Sequence, residues 1–210
     1  MQHPMSRDIS KESYKLTDKL TIKNLESILK AFASDYDIKP ILIGGMAVAA
    51  YAKYYNENYD RETKDIDFII NEKYKTKTKE IIYRKLPDLS IKEGRIFGYN
   101  GIEIKYEYGP SVSILFKDKE VPYSIIELKL GKKIIKLYVA RMEYLLVDKI
   151  FTYLRRKEEK DLNDIGILTY LMTKHGYNRE LICNIFYEYS KKYEKYASKA
   201  KDIMKSIIIL

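Results

Sequence analysis

A chain of 210 residues, 46% hydrophobic and 33% charged, describes a soluble globular protein with a real core in one or two domains. One cysteine, Cys183, excludes an internal disulfide, and two histidines, His3 and His175, leave no zinc constellation and no Ser/His/Asp or Cys/His arrangement. The net charge of +9 and the 21 tyrosines fit a polyanionic partner such as tRNA, but also a chain whose base composition or hot habitat favours Lys, Ile and Tyr throughout.

No stretch is long and apolar enough for a membrane span, since the longest run, Ile41 to Ala52, is short and broken by glycines. The segment Met1 to Ser10 has no signal-peptide core, so the expected compartment is the cytoplasm.

In chain order, Leu20, Leu25, Ile28, Leu29 and Phe32 recur at helical spacing and predict an amphipathic helix over about 16–34, stopping before Pro40. Three apolar residues, Ile41 to Ile43, then predict a strand that ends at Gly44 and Gly45, with a helix of small residues from Met46 to Ala52. Residues 54–62 read as a polar loop. A strand over about 65–71 carries Asp65-Ile66-Asp67, and a helix over 74–86 ends at Pro87. From Leu89 to Val139 the pattern is β-rich, with turns predicted at Tyr99-Asn-Gly101, Gly109-Pro110, Lys117-Asp118 and Gly131-Lys132. Asn100-Gly101 is the strongest hairpin signal among them.

Beyond Ala140 the periodicity is helical, over about 141–157, 159–174, 178–190 and 192–206. Gly176 acts as stop and Asn178 as cap. The basic segment Lys191 to Lys201 reads equally as a nucleic-acid contact or a solvated helix face. No linker, internal repeat or low-complexity stretch marks the change near residue 140, so a sheet domain over 16–139 and a helical domain over 140–210 are expected to pack directly together.

Two devices in the sequence carry chemistry. The glycine turn at Gly44-Gly45 exposes backbone N–H groups at a helix start, where an anion belongs. Asp65 and Asp67, two residues apart on a strand, place both carboxylates on one face with Ile66 and Phe68 on the other. Such a pair favours a hard cation. Lys149 lies within the apolar stripe formed by Leu145, Leu146, Ile150, Tyr153 and Leu154, so its ammonium must snorkel out or meet an anion. Asp161 and Asp164, one helical turn apart, are candidates to fix Lys149 or Arg156. Arg61 and Lys64, beside the aspartates, are open to either a phosphate contact or a surface role. Tyr106 and Tyr153 are open to base stacking or to plain packing.

Together, Ile41 to Ala50, Arg61-x-Thr63-Lys64-Asp65-Ile66-Asp67, Lys149 and Lys160-Asp161-x-x-Asp164 resemble the polymerase-beta-like nucleotidyltransferases, and within them the AbiEii-like abortive-infection toxin branch. The resemblance covers about 38–172. It departs from the pattern at Gly45, where many members have serine, and in the 19 residues between Gly45 and Asp65 (65 − 45 − 1).

It implies an α+β nucleotidyltransferase-fold mixed sheet with flanking helices, followed by the helical domain. It also implies a magnesium-dependent enzyme with two ions on Asp65, Asp67 and a third carboxylate. The strand parity of residues 102–108 allows Glu103 or Glu107, and Glu127 is a further candidate; the resemblance favours Glu103. Gly44, Gly45, Lys149 and Arg61 would then hold the NTP, with tRNA, another RNA or a protein as acceptor and an antitoxin as partner. Two alternatives stand beside it: a catalytically inactive nucleotide-binding or protein-interaction module of the same fold, and a basic RNA-binding protein without nucleotide chemistry.

Overall fold

The computed structural model describes residues 13–207 except 36 and 60. His3, the rest of the N-terminal segment and the last three residues lie outside the described residues.

The elements run β1 (Tyr14–Lys15), α1 (Lys19–Phe32), β2 (Ile41–Ile43), α2 (Gly44–Tyr54), β3 (Glu62–Thr63), β4 (Asp65–Asn71), α3 (Lys75–Lys85), β5 (Ser90–Ile96), β6 (Tyr99–Lys105), β7 (Ser111–Lys117), β8 (Tyr123–Leu130), β9 (Lys133–Ala140), α4 (Met142–Arg156), α5 (Glu159–His175), α6 (Arg179–Lys192) and α7 (Glu194–Ile207). Seven strands form one mixed sheet in the order β5-β6-β7-β4-β2-β9-β8, and β1 pairs with β3 in a separate ribbon. Strand β4 lies at the centre, parallel to β7 and antiparallel to β2. Its burial alternates as the sequence requires: Ile66 and Phe68 are fully buried, while Asp65 and Asp67 face the other side.

Helix α2 is short of bulky side chains because it is enclosed. Residues Gly45 to Ala52 are all buried, which lets the helix approach the sheet, α4 and α5 closely. One hydrophobic cluster joins the sheet residues Phe68, Ile114 and Leu137 to Phe151, Leu168 and Met204 of the C-terminal helices. Asn24 fastens α1 to the β6–β7 connection, donating from Nδ2 to the carbonyls of Tyr108 and Pro110, each at 3.1 Å. Among the described residues no helix is long and apolar enough to cross a membrane.

The four C-terminal helices follow the predicted spans closely. Gly176 ends α5 at φ +87°, and the Asn178 side chain accepts from the Leu181 amide at 3.0 Å to begin α6. The hairpin expected at Asn100-Gly101 is displaced: the turn is Phe97-Gly98, both at positive φ, and Asn100 pairs with Arg95 inside β6. Gly101 serves close approach, since a β-carbon there would sit 2.9 Å from the Ile114 carbonyl oxygen of β7.

Candidate active site

The register Ile43↔Asp67 brings the end of β2 beside the acidic strand. The chain turns at Gly44, with φ +70°, straight into α2. No side chain caps that helix start, so its first amides are left to other acceptors. A β-carbon on Gly44 would lie 2.9 Å from Asp67 Oδ2, so only glycine lets the turn and the carboxylate meet.

Asp65 accepts a short hydrogen bond from the Ser111 hydroxyl on β7, and its amide donates to Thr63 Oγ1 at 3.4 Å. Asp67 Oδ1 is buried with no hydrogen-bond partner. Burial, reinforced by the charge of Asp65, pushes the Asp67 carboxyl up to about 7, against the pull of Lys149 and Arg156.

These groups open on a cleft of about 610 Å³, lined by Gly44, Gly45, Asp65 and Asp67 on the sheet side and by Lys149, Arg155 and Arg156 of α4 on the other. The size suits a nucleotide-scale ligand. Its rear wall is an ionic network. Lys149, 5% exposed, meets Asp161 at 3.0 Å and Asp164 at 2.6 Å. Burial alone would pull the Lys149 ammonium down, but the charges of Asp164 and Asp161 outweigh it and hold it above the usual lysine value. Asp164 also accepts from Arg61 Nε at 2.8 Å, from Arg61 Nη2 at 3.3 Å and from the Tyr59 hydroxyl at 2.7 Å. Every oxygen of this fully buried carboxylate is thereby satisfied. Arg155 and Arg156 form no ion pair among the described residues; Arg155 lies over Tyr193 and Arg156 over Phe97, at 4.8 and 5.1 Å.

The expected site residues therefore separate into two groups. Gly44, Gly45, Arg61, Asp65, Asp67 and Lys149 converge on the cleft. Glu103 does not join them: its register partner is Ser113, which itself pairs with Asp67, so β7 lies between. Its carboxylate faces Lys105 at 3.7 Å instead. Glu107 lies beyond the end of β6 and is exposed, and Glu127 lies on the edge strand β8. Among the described residues no three His, Cys, Asp or Glu side chains are grouped to hold a metal. The neighbouring-strand positions beside the aspartates are Ser111 and Ser113, a substitution that strand parity alone does not reveal.

Two further corrections concern the loop and the aromatics. The segment 54–62 is more than a spacer, because it delivers Tyr59 and Arg61 to Asp164 across more than a hundred residues of chain. The Arg61 guanidinium takes the space beside Gly45, where a β-carbon would be 2.8 Å from Nη2. Tyr106 and Tyr153 do not line the cleft; Tyr59, Tyr99, Tyr144 and Tyr193 do. Asp148, adjacent in sequence to the predicted Lys149, also lines it and accepts from the Tyr189 hydroxyl at 2.8 Å.

A family model described as "Nucleotidyl transferase AbiEii toxin, Type IV TA system" matches residues 27–207. The chain belongs to the AbiEii nucleotidyltransferase family. It is therefore a nucleotidyltransferase, of a family named for its toxins. No curated protein matches the AbiEii-family chain. Among solved structures, the antibiotic-resistance factor ANT(2'')-Ia in solution is similar at TM-score 0.57 and 13% identity, covering 88% of this chain and 99% of that one. The crystal structure of ANT(2")-Ia in complex with adenylyl-2"-tobramycin is similar at TM-score 0.50 and 10% identity, covering 86% and 97%. The lincomycin-bound lincosamide antibiotic adenylyltransferase LnuA is similar at TM-score 0.46 and 20% identity, covering 73% and 99%. At these identities the first two establish a shared nucleotidyltransferase fold.

Proposed function

We propose that this AbiEii-family chain transfers a nucleoside monophosphate from an NTP to a hydroxyl of an RNA, tRNA being the leading class, and releases pyrophosphate. The observation that carries the reading is the meeting of Gly44 and Asp67: an uncapped helix start and a carboxylate with a buried, unpartnered oxygen share one cleft. In the reaction the acceptor oxygen bonds to the α-phosphorus while the bond from that phosphorus to the bridging oxygen of pyrophosphate breaks.

Asp65 and Asp67 fit a hard divalent cation, because two adjacent carboxylates, one raised by burial and by the other, gain from a shared positive charge. Magnesium requires few protein ligands, so a two-carboxylate set completed by substrate phosphates is adequate without Glu103. Bound there, the metal supplies charge neutralisation on the phosphates. The α2 amides and the cations on α4 hold the triphosphate. Arg155 and Arg156 form no ion pair among the described residues and suit this task, whereas Lys149 shares its charge with Asp161 and Asp164 and Arg61 with Asp164. An antitoxin would act as the partner protein, and the cytoplasm as the compartment.

The absence of a grouped third carboxylate among the described residues favours a second reading, nucleotide binding without transfer. Incubating the protein with each labelled NTP, magnesium and total RNA separates the two, beside an Asp65→Ala/Asp67→Ala control. Label entering RNA only with both aspartates supports transfer. Bound NTP with no label in RNA or protein supports the silent module, and RNA binding without NTP binding supports the third alternative.

A further inference from the structure

Next to the cleft, a second cavity of about 330 Å³ is lined by the cations Lys117, Lys119 and Lys192 and by the carboxylates Glu72, Asp118 and Glu188. Tyr99 of β6 lines both cavities and separates them. Lys119 is neutralised by Glu188 at 2.7 Å. Lys117 and Lys192 form no ion pair among the described residues. Lys117 Nζ donates to the Tyr144 hydroxyl at 3.2 Å and lies over the Tyr144 and Tyr189 rings at 4.8 and 5.7 Å. Lys192 Nζ donates to the Tyr99 hydroxyl at 2.5 Å and lies over the Tyr99 ring at 3.9 Å. Burial depresses the Lys117 ammonium; the charge of Asp148 offsets part of this, while Lys192 depresses it further, so the two positive charges repel. Of the nearby carboxylates, Glu188 is paired with Lys119, Glu72 lies 3.8 Å from Lys75, Asp148 accepts from Tyr189, and Asp118 is exposed with no ion pair among the described residues. Two repelling cations held together by tyrosines gain most from an anion between them.

The strand register places this pair relative to the chemistry. Asp67 pairs with Ser113 and Asn71 with Lys117, so Lys117 is four residues further along β7 on the same face. At about 3.3 Å per residue that is about 13 Å from the acidic centre. An anion there is a different group from the phosphates held at Gly44, yet the two positions are bridged by an aromatic ring. Phosphates repeated at intervals, with flat groups between them, are the signature of a polynucleotide.

We propose that Lys117 and Lys192, with Tyr99 as the stacking platform between them and the carboxylate cleft, form a subsite for a backbone phosphate of a single-stranded polynucleotide acceptor. The subsite rests on the reading of the main cleft as a nucleotidyl-transfer site and names how its acceptor is held.

The test is anisotropy of a fluorescein-labelled, single-stranded oligoribonucleotide lacking terminal phosphates, over a salt series, with the full chain and no NTP. Magnesium–ATP binding is measured separately. Lys192→Gln, an exposed change, and Lys117→Met, which keeps bulk, should each flatten the log–log salt slope by about 0.7, the loss of one phosphate contact. Tyr99→Leu should weaken the oligonucleotide about fivefold or more without altering the slope. Magnesium–ATP affinity should be unchanged in Lys192→Gln and Lys117→Met. An unchanged slope in folded Lys192→Gln overturns the subsite, and so does an equal loss of ATP and oligonucleotide, which assigns the lysines to a triphosphate. If the slopes fall as stated while no label is ever transferred from NTP, the subsite stands and the transferase reading fails.

Discussion

The guanidinium of Arg61 fills the space beside Gly45, with Nη2 2.8 Å from where a β-carbon would stand, and is locked there by Asp164. A serine at this position, expected in many members of the resembled family, would displace the arginine. The glycine and the long loop that follows α2 are therefore two halves of one arrangement. Gly45 lies in helical backbone, so Gly45→Ala gains up to about 1 kcal/mol of helix propensity while disturbing a hydrogen-bonded charge pair. We expect a near-neutral melting temperature with weakened NTP binding. The double variant with Arg61→Gln should be non-additive, as measured by a thermal and binding cycle.

Gly44 behaves differently. Its φ of +70° strains any side chain, and its missing β-carbon is what admits Asp67. Gly44→Ala should cost about 1–3 kcal/mol of stability and remove magnesium-dependent NTP binding, read by denaturant melts and calorimetry.

Lys149 bridges two buried acids; Asp164 would keep Arg61, but removing Lys149 leaves Asp161 with no cation among the described residues. Lys149→Met should destabilise by about 3–5 kcal/mol at neutral pH. Asp161→Asn should cost less, because Lys149 keeps Asp164, and because Asp161 Oδ2 is already without a hydrogen-bond partner. Chemical denaturation of both variants checks the order.

Arg156 forms no ion pair among the described residues and lies over the Phe97 ring at 5.1 Å. Arg156→Gln should leave the melting temperature within about 1 °C of the parent, an effect under about 0.5 kcal/mol. It should weaken NTP binding about tenfold or more, the worth of a charge-assisted hydrogen bond of about 1.5–3 kcal/mol.

The pH dependence follows from Asp67. Its folded value of about 7 is raised above the ordinary carboxylate value of 3.8, so the native state binds the extra proton between those limits. Without metal, this carboxyl favours the folded state most near the acid end and loses that contribution as pH rises from about 4 to about 7. Magnesium must displace the proton, so the metal-induced rise in melting temperature should be larger at pH 8 than at pH 6. An Asp67→Asn variant should show neither the pH slope nor the metal effect.

The parts of the fold readable in the sequence are those set by local periodicity. Ile66 and Phe68 against Asp65 and Asp67 define a strand by parity, and Gly176 and Asn178 mark helix ends by backbone conformation and capping. Lys149 was legible because a lysine in an apolar stripe demands a partner, and Asp161 with Asp164 provide it. Strand order is not local. Glu103 has the right parity but sits one strand too far, because β7 inserts between β6 and β4. Asn100-Gly101 carries the commonest turn signal, yet contact between Gly101 and the Ile114 carbonyl takes precedence, and Phe97 accepts φ +51° instead. Tyr59 could have been noticed only as the same-parity neighbour of Arg61, two residues before it.

The central claim is that one cleft brings a triphosphate to the Gly44 turn and a divalent cation to Asp65 and Asp67. The most direct measurement is pyrophosphate release from each NTP in the presence of magnesium and total RNA, comparing the parent with Asp65→Ala/Asp67→Ala of equal melting temperature. The account predicts release with the parent, loss of release on chelation of magnesium, and none with the double variant. Equal release from both proteins, or release undiminished by chelation, would contradict it.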